Sequence, residues 1–306
     1  GHTKEVDGLH ELLDPEALAG QVPDDVRTLI RGKIDRTIHS LPDGAAALRS
    51  LVSAAVYGEQ FDPNHVAELC VRAELLDDKA AALRCFDELV GAGLMEYRGR
   101  ADEDQMAFAS PLLRHEVLNL LRAGTRRTLH REAAGLLKQR GKGNQVHVVK
   151  AIARHLFAAD MVEEGRVYLQ RAAELAEQAW MLDEANALFE ELLERLGDDR
   201  GPEAARAHLL LGRVHVRQGN EDEARALLAG LPEWAEDSTA SEAALLLAEL
   251  ALTAGNTSEA TAWLQLSKDR MPDEGPQAAW FRGEWYLHQE RLLRARGDLR
   301  FRIEHL

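Results

Sequence analysis

The sequence predicts a mainly α fold: a helical module carrying a small β-hairpin, followed by an α-α superhelix of stacked helical hairpins. Three observations predict it. Leu211-Gly212, Gly219, Ala224 and Leu228 recur as Leu247-Ala248, Gly255, Ala260 and Leu264, each 36 positions later. A repeat of that length marks units that bury their apolar faces only on one another. From Val146 onward the apolar residues keep the spacing of a helix face, whereas between Leu94 and Ala109 the period falls to two, as in strands.

Bulk composition bounds the rest. The chain has 306 residues and 45% hydrophobic content, enough apolar matter for two domains. No uninterrupted apolar run reaches the ~18 residues of a membrane span, and no charged-then-apolar leader opens the chain, so a cytoplasmic protein with no membrane partner is expected. Gly1-His2 reads as the scar of a cleaved tag, and the stretch ending at Leu306 carries no stop signal, which suggests a cut piece of a longer chain. A formal net charge of -15 opposes binding to polyanions and argues against nucleic acid as partner. Cys70 and Cys85 lie in apolar helical patterns and are too few for a disulfide scaffold or a zinc site. Buried free thiols are expected.

Residues 1–23 carry no firm pattern and read as a tail or tag remnant. Asp24 is placed to cap a helix through Val26, Leu29, Ile30, Ile34 and Ile38 that stops at Ser40-Leu41-Pro42. Asp43 opens a second, through Leu48, Leu51, Val52 and Ala55. Asp62-Pro63 supplies a cap and a first-turn proline for a third, and Asp77 begins a fourth that ends at Gly91 and Gly93. Leu94–Arg98 and Gln105–Ala109 then alternate as two strands, with Met95 and Tyr97 sharing one face and Met106 and Phe108 another, around a polar turn at 99–104. The last three helices and this hairpin describe a winged helix. Ser110-Pro111 starts a further helix, another carries Leu129, Ala133, Leu136 and Leu137, and residues 140–144 form the best linker. The winged-helix-like module with its trailing helices therefore spans 24–143, and the repeat array 144–306, truncated at its C-terminus. Within the array a helix from Val162 to Trp180 is expected to bury Val167, and Leu182–Leu196 follows. The two matching hairpins are separated by Pro232 and closed by Pro272.

The hairpin landmarks resemble the tetratricopeptide repeat, in which a small residue and an alanine let two helices approach closely; Gly212 with Ala224, and Ala248 with Ala260, fill those places. Leucines replace most of the signature aromatics. Trp180 and Ala185 fit a further copy, with tryptophan where a turn glycine is usual, so a tighter or bent connection is expected there. Over most of residues 24 to 265 the chain also resembles the region after the nucleotide-binding module of bacterial STAND-class signal-transduction ATPases, including MalT- and AfsR-type regulators and ATPase-fused serine/threonine kinases. Three passages carry this: residues 29–36 with Leu41-Pro42, residues 86–94, and residues 108–117 followed by 129–134. The resemblance implies a regulator in which nucleotide exchange releases an autoinhibited state while the helical array senses a protein, peptide or inducer. Ser110 stands where the family commonly has histidine, a departure from the pattern that would supply a nucleotide contact from that loop.

Catalytic patterns are absent. Gly135 to Gly141-Lys142 has five residues between its glycines where a phosphate loop needs four, and Gly32-Lys33 lacks the first glycine. ATP and magnesium are therefore expected only in an upstream domain, with no cofactor in this fragment. No zinc-binding pair stands out, and His208 and His215, seven apart, have no third ligand. No nucleophile elbow occurs, and carboxylate runs such as Glu221-Asp222-Glu223 read as solvated faces. A non-enzymatic fragment is expected. The candidate partner-binding residues are His208 and His215 on a concave face, and Trp285 and Tyr286 near the cut end. Arg114, Arg122, Arg126, Arg127 and Arg131, extended by Lys138, Arg140 and Lys142, form a basic stretch offset only by Glu116 and Glu132; it faces another domain or phosphate. The competing function is a DNA-binding transcription regulator, in which the helix before the hairpin would read bases. That helix carries Asp77, Asp78, Asp87 and Glu88 against Lys79 and Arg84, an unfavourable field.

Overall fold

The computed structural model describes residues 23–98, 105–140, 145–275 and 277–297, together with the strand paths of residues 3–6 and 9–12. The turn expected at 99–104, most of the expected linker and Lys142 lie outside these residues. Strands β1 (Thr3–Val6) and β2 (Leu9–Leu12) pair antiparallel, Thr3 opposite Leu12 and Val6 opposite Leu9. The sequence reading put a tail here. The overlooked signal is Asp7-Gly8 between the two runs, a dipeptide that favours tight hairpins.

The chain divides into two compact units, Gly1–Gly143 with Ala151–Gly165, and Asn144–Lys150 with Arg166–Leu306. In the first, α1 (Asp24–Ser40) follows Pro23 with no side-chain cap. Asp24 lies inside the first turn, where it and Asp25 act on the helix dipole instead of capping. Helix α2 (Gly44–Tyr57) is capped by Asp43, whose carboxylate accepts from the Ala46 amide at 3.0 Å. A two-residue strand β3 (Gln60–Phe61) precedes α3 (Pro63–Arg72), capped by Asp62 onto Asn64 at 2.8 Å. Helix α4 (Lys79–Gly91) is capped by Asp78, one residue later than expected.

Strands β4 (Met95–Arg98) and β5 (Gln105–Phe108) complete a three-stranded antiparallel sheet in the order β3-β5-β4, with Phe61 opposite Met106 and Met95 opposite Phe108. Met106 and Phe108 are both buried, as their shared face requires. Met95 and Tyr97 part company: β4 is an edge strand whose burial ends after Met95, and Tyr97 is exposed with its hydroxyl donating to Asp87. Leu51, Phe61, Phe86, Leu94, Met106 and Val117 share one core beneath this sheet. Helix α5 (Pro111–Asn119) is capped by Ser110 onto Leu113, and α6 (Ala123–Gln139) follows. Helix α7 (Val146–Ala158) contributes its later residues to this unit.

The second unit is a run of helices: α8 (Val162–Gln178, from Arg166 onward), α9 (Leu182–Leu196), α10 (Pro202–Gln218), α11 (Glu221–Leu228), α12 (Leu231–Trp234), α13 (Asp237–Thr253), α14 (Thr257–Arg270) and α15 (Ala278–Ala295). Gly212, Ala224, Ala248 and Ala260 are all buried. A Cβ added at Gly212 would lie 2.6 Å from Leu228 Cδ2, so the small residue is what lets α10 meet α11. Val167 is exposed, not inside: the buried line of α8 is Leu169, Ala172, Ala173 and Ala176, and Val167 stands about 200° of helix rotation from Leu169. Pro232 does not simply separate the hairpins; it sits in the first turn of α12, where a missing amide costs nothing. Among the described residues no helix is long and apolar enough to cross a membrane.

Candidate functional site

The second unit carries a cleft of about 650 Å³ lined by Arg206 and Arg213 of α10, Ser238, Thr239 and Glu242 of α13, and Gln277, Trp280 and Phe281 of the α15 end. An ionic ladder organises its wall. Glu177, almost sealed from water, accepts from Arg213 Nε at 2.6 Å and Nη2 at 2.7 Å, and pairs ionically with Arg217 at 3.1 Å. Arg213 reaches on to Glu242 at 3.2 Å, and Arg206 meets the other Glu242 oxygen at 3.1 Å. Burial works against the Arg213 charge, but hydrogen bonds to Glu177 and the fields of Glu177, Glu242 and Glu174 outweigh it and hold the guanidinium above its ordinary value. Trp280 presents a half-exposed ring to the same cleft while Phe281 is buried beside it, their rings edge to face at 4.9 Å. A pre-oriented guanidinium pair, a carboxylate and an exposed indole can hold a short peptide by its polar groups and one apolar side chain.

Sequence reasoning missed these residues, although a signal was available. Glu177 to Arg213 and Arg206 to Glu242 are both separations of 36, the repeat period itself, so each pair joins neighbouring repeats.

The residues singled out from sequence fall elsewhere. His208 lines a separate cleft of about 460 Å³ with Asp198, Asp199, Arg200 and Trp234, its ring edge-on to Trp234 at 6.0 Å. Burial pushes its pKa down. His215 lies near the end of α10, its Nδ1 3.3 Å from the Asn220 side-chain amide, and lines neither cleft. Trp285 is half-buried, donating from Nε1 to the Leu264 carbonyl at 2.8 Å, with Lys268 5.3 Å above its ring. Tyr286 stands edge-on to it at 5.3 Å and is exposed.

In the first unit Arg122, Arg126, Arg127 and Arg131 are exposed at the start of α6, and Arg114 donates from Nε to the Ala55 carbonyl at 3.0 Å. Beneath this surface His130 and His155 are buried with their Nδ1 atoms 2.9 Å apart. One ring must donate and the other accept, so the contact tolerates at most one imidazolium. The Tyr57 ring centre is 6.1 Å from those of His155 and His65, its hydroxyl is 3.1 Å from His65 Nδ1, and burial pushes its pKa up to about 12. Burial, then the fields of Arg126, Arg114 and Arg154, lowers His130 to about 4. Burial, then His130, Arg154 and Arg114, lowers His155 as well. Cys70 and Cys85 are buried free thiols, both shifted upward by burial. Among the described residues no three His, Cys, Asp or Glu side chains converge as metal ligands.

Residues 178–241 match the tetratricopeptide repeat family. No curated protein matches the chain. Among solved structures the chain is similar to a Signal Transduction ATPase with Numerous Domains (STAND) protein with a tetratricopeptide repeat sensor from Pyrococcus horikoshii, at 13% identity and a TM-score of 0.54. The match covers 92% of this chain and 44% of that protein, so the chain spans less than half its length. Residues 178–241 are thus similar to tetratricopeptide repeats, and the chain shares a fold with that STAND protein.

Proposed function

We propose that this chain is the non-catalytic sensing and regulatory portion of a cytoplasmic signalling ATPase of the STAND class, of the kind found in MalT- and AfsR-type regulators, and that the α10–α13–α15 cleft receives its protein, peptide or inducer partner. The observation that supports this best is the fold likeness over 92% of the chain to a STAND protein that carries a repeat sensor. The order α2-β3-α3-α4-β4-β5 with its three-stranded sheet supports reading residues 44–108 as a winged helix. The ladder from Glu177 to Arg206 supports the cleft, because it pre-orients donors on adjacent repeats. Two tests bear on the reading. The full reading frame is expected to encode a Gly-x-x-x-x-Gly-Lys-Ser/Thr loop upstream, and a frame without one sinks the proposal. In the full-length protein, Trp280→Ala should sharply weaken the inducer response while basal nucleotide hydrolysis and the melting temperature persist.

The DNA-binding reading would use α4 as the base-reading helix. Lys79 there is engaged by Glu68 at 3.1 Å, and Asp87 accepts from Tyr97. Those pairings and the acidic residues of α4 favour a protein or inducer as the partner.

A further inference from the structure

We propose that the N-terminal half of α6 is a binding site for a compact polyphosphate anion. Arg122, Arg126 and His130 follow one another at intervals of four and share one strip of the helix, while Arg127 and Arg131 form a second row about 100° farther round. Arg154 belongs to the same cluster, since its charge acts on His130 together with that of Arg126. His130 itself is 8% exposed, and its Nε2 has no hydrogen-bond partner.

Nothing within the described residues neutralises these arginines. Arg122, Arg126, Arg127, Arg131 and Arg154 are exposed and form no ion pair there. No carboxylate occurs from Val117 to Arg131. The two that flank the stretch are engaged, Glu116 by Arg31 and Glu132 by Arg72, each at 2.6 Å. The other end of the same helix behaves differently: Lys138 pairs with Glu164 and Arg140 with Glu68, each at 2.6 Å. Unmatched charge is therefore a property of this half of α6 and not of the chain's arginines in general.

The ligand's size and chemistry follow. Arg122 and Arg126 lie about 6 Å apart along the helix, so their two guanidinium forks, with that of Arg154 beside His130, face a short length of ligand. Two or three linked phosphates supply that much negative charge in that space and match the fork geometry. Separate carboxylates would have to be gathered one by one. A long polyanion such as duplex DNA would meet the repulsion of a chain whose net charge is -15.

Calorimetric titration of the chain with inorganic triphosphate at low ionic strength tests this. One-to-one binding is expected, weakened at least ~10-fold by Arg126→Ala with Arg127→Ala. Alanine on an exposed helix position preserves the helix, so circular dichroism and the melting temperature should be unchanged. Arg84→Ala, an exposed arginine of α4, should leave the affinity as it was. An ATP arm identifies the source: tighter binding than triphosphate points to a nucleotide, and equal binding to the phosphate chain alone. The proposal is overturned by no binding, by equal loss in the Arg84→Ala variant, by citrate binding as tightly as triphosphate, or by tighter, steeply salt-dependent binding to duplex DNA.

Discussion

Glu116 has no access to water, while its partner Arg31 stands half in it: the Glu116 side chain is 0% exposed and that of Arg31 52%. One carboxylate oxygen accepts from Arg31 Nε at 2.6 Å, and the other has no hydrogen-bond partner. Removing the guanidinium strands a buried charge, and breaking such a pair costs roughly 3 kcal/mol or more. Arg31→Ala should therefore lower the urea unfolding free energy of the first unit by about 3 kcal/mol, and Glu116→Gln, which removes the charge with the shape kept, by distinctly less. The reverse order would mean that the ion pair is not what holds Glu116. Glu177 is buried in the same way, with a difference that sets the magnitude. Arg217 remains within 3.1 Å of it when Arg213 is removed, so Arg213→Ala should cost nearer ~2 kcal/mol. Combining it with Arg217→Ala should cost more than the sum of the two single changes, as a double-mutant cycle would show.

Elements in the second unit are tied by one recurring turn. At Gly219 and Gly255 the backbone is left-handed, with φ 80° and 74°, and the amide of the next residue donates back five positions, Asn220 to His215 and Asn256 to Ala251. Trp180 adopts φ 59°, and Met181 donates to Ala176 in the same pattern. The connection there is thus neither tighter nor bent. A bulky residue has been forced into a glycine conformation, at a cost of about 1–2 kcal/mol, and Arg217 stacks 5.3 Å over its ring. Close helix approach matters more than turn conformation. Gly212→Val should destabilise the repeats by at least ~2 kcal/mol through overpacking on Leu228. Gly230→Ala, where no atom lies within 4 Å of the new methyl group, should stay within about 0.5 kcal/mol of wild type; equal effects in thermal melts would remove the packing argument. Most helices and the repeat were legible in the sequence because landmarks 36 apart encode both the turn and the contact. Strand β3 was not, since two residues carry no period, and α12 was hidden because Pro232 reads as a separator. The His130–His155 contact joins two helices 25 positions apart and leaves no local pattern. The cleft ladder was legible in principle, because its pairs repeat the period, but charge matching across repeats is seen only once the hairpins are stacked.

For the molecule as a whole, acid stability should differ between the two units. His130 and His155 belong to the first, and both are held below the ordinary histidine value of 6.5 chiefly by burial. Arg126, Arg114 and Arg154 add to this, and neither histidine has a carboxylate among the causes of its shift. A depressed folded pKa means that the unfolded chain binds more protons. The associated stability is whole above pH 6.5 and is lost as pH falls through the folded value, about 4 for His130. One imidazole carried across that window is worth about 3 kcal/mol. The readout is separable because all five tryptophans, at 180, 234, 263, 280 and 285, lie in the second unit. Its own His208 is lowered by burial but is only half-buried. Between pH 7 and pH 5, the first unit's melting transition, followed by amide hydrogen exchange of its own helices, should therefore fall by several degrees, while the tryptophan transition moves less. His155→Asn should start less stable at pH 7 and show a flatter decline. A decline in that variant as steep as in wild type would place the acid-sensitive group outside the histidine pair.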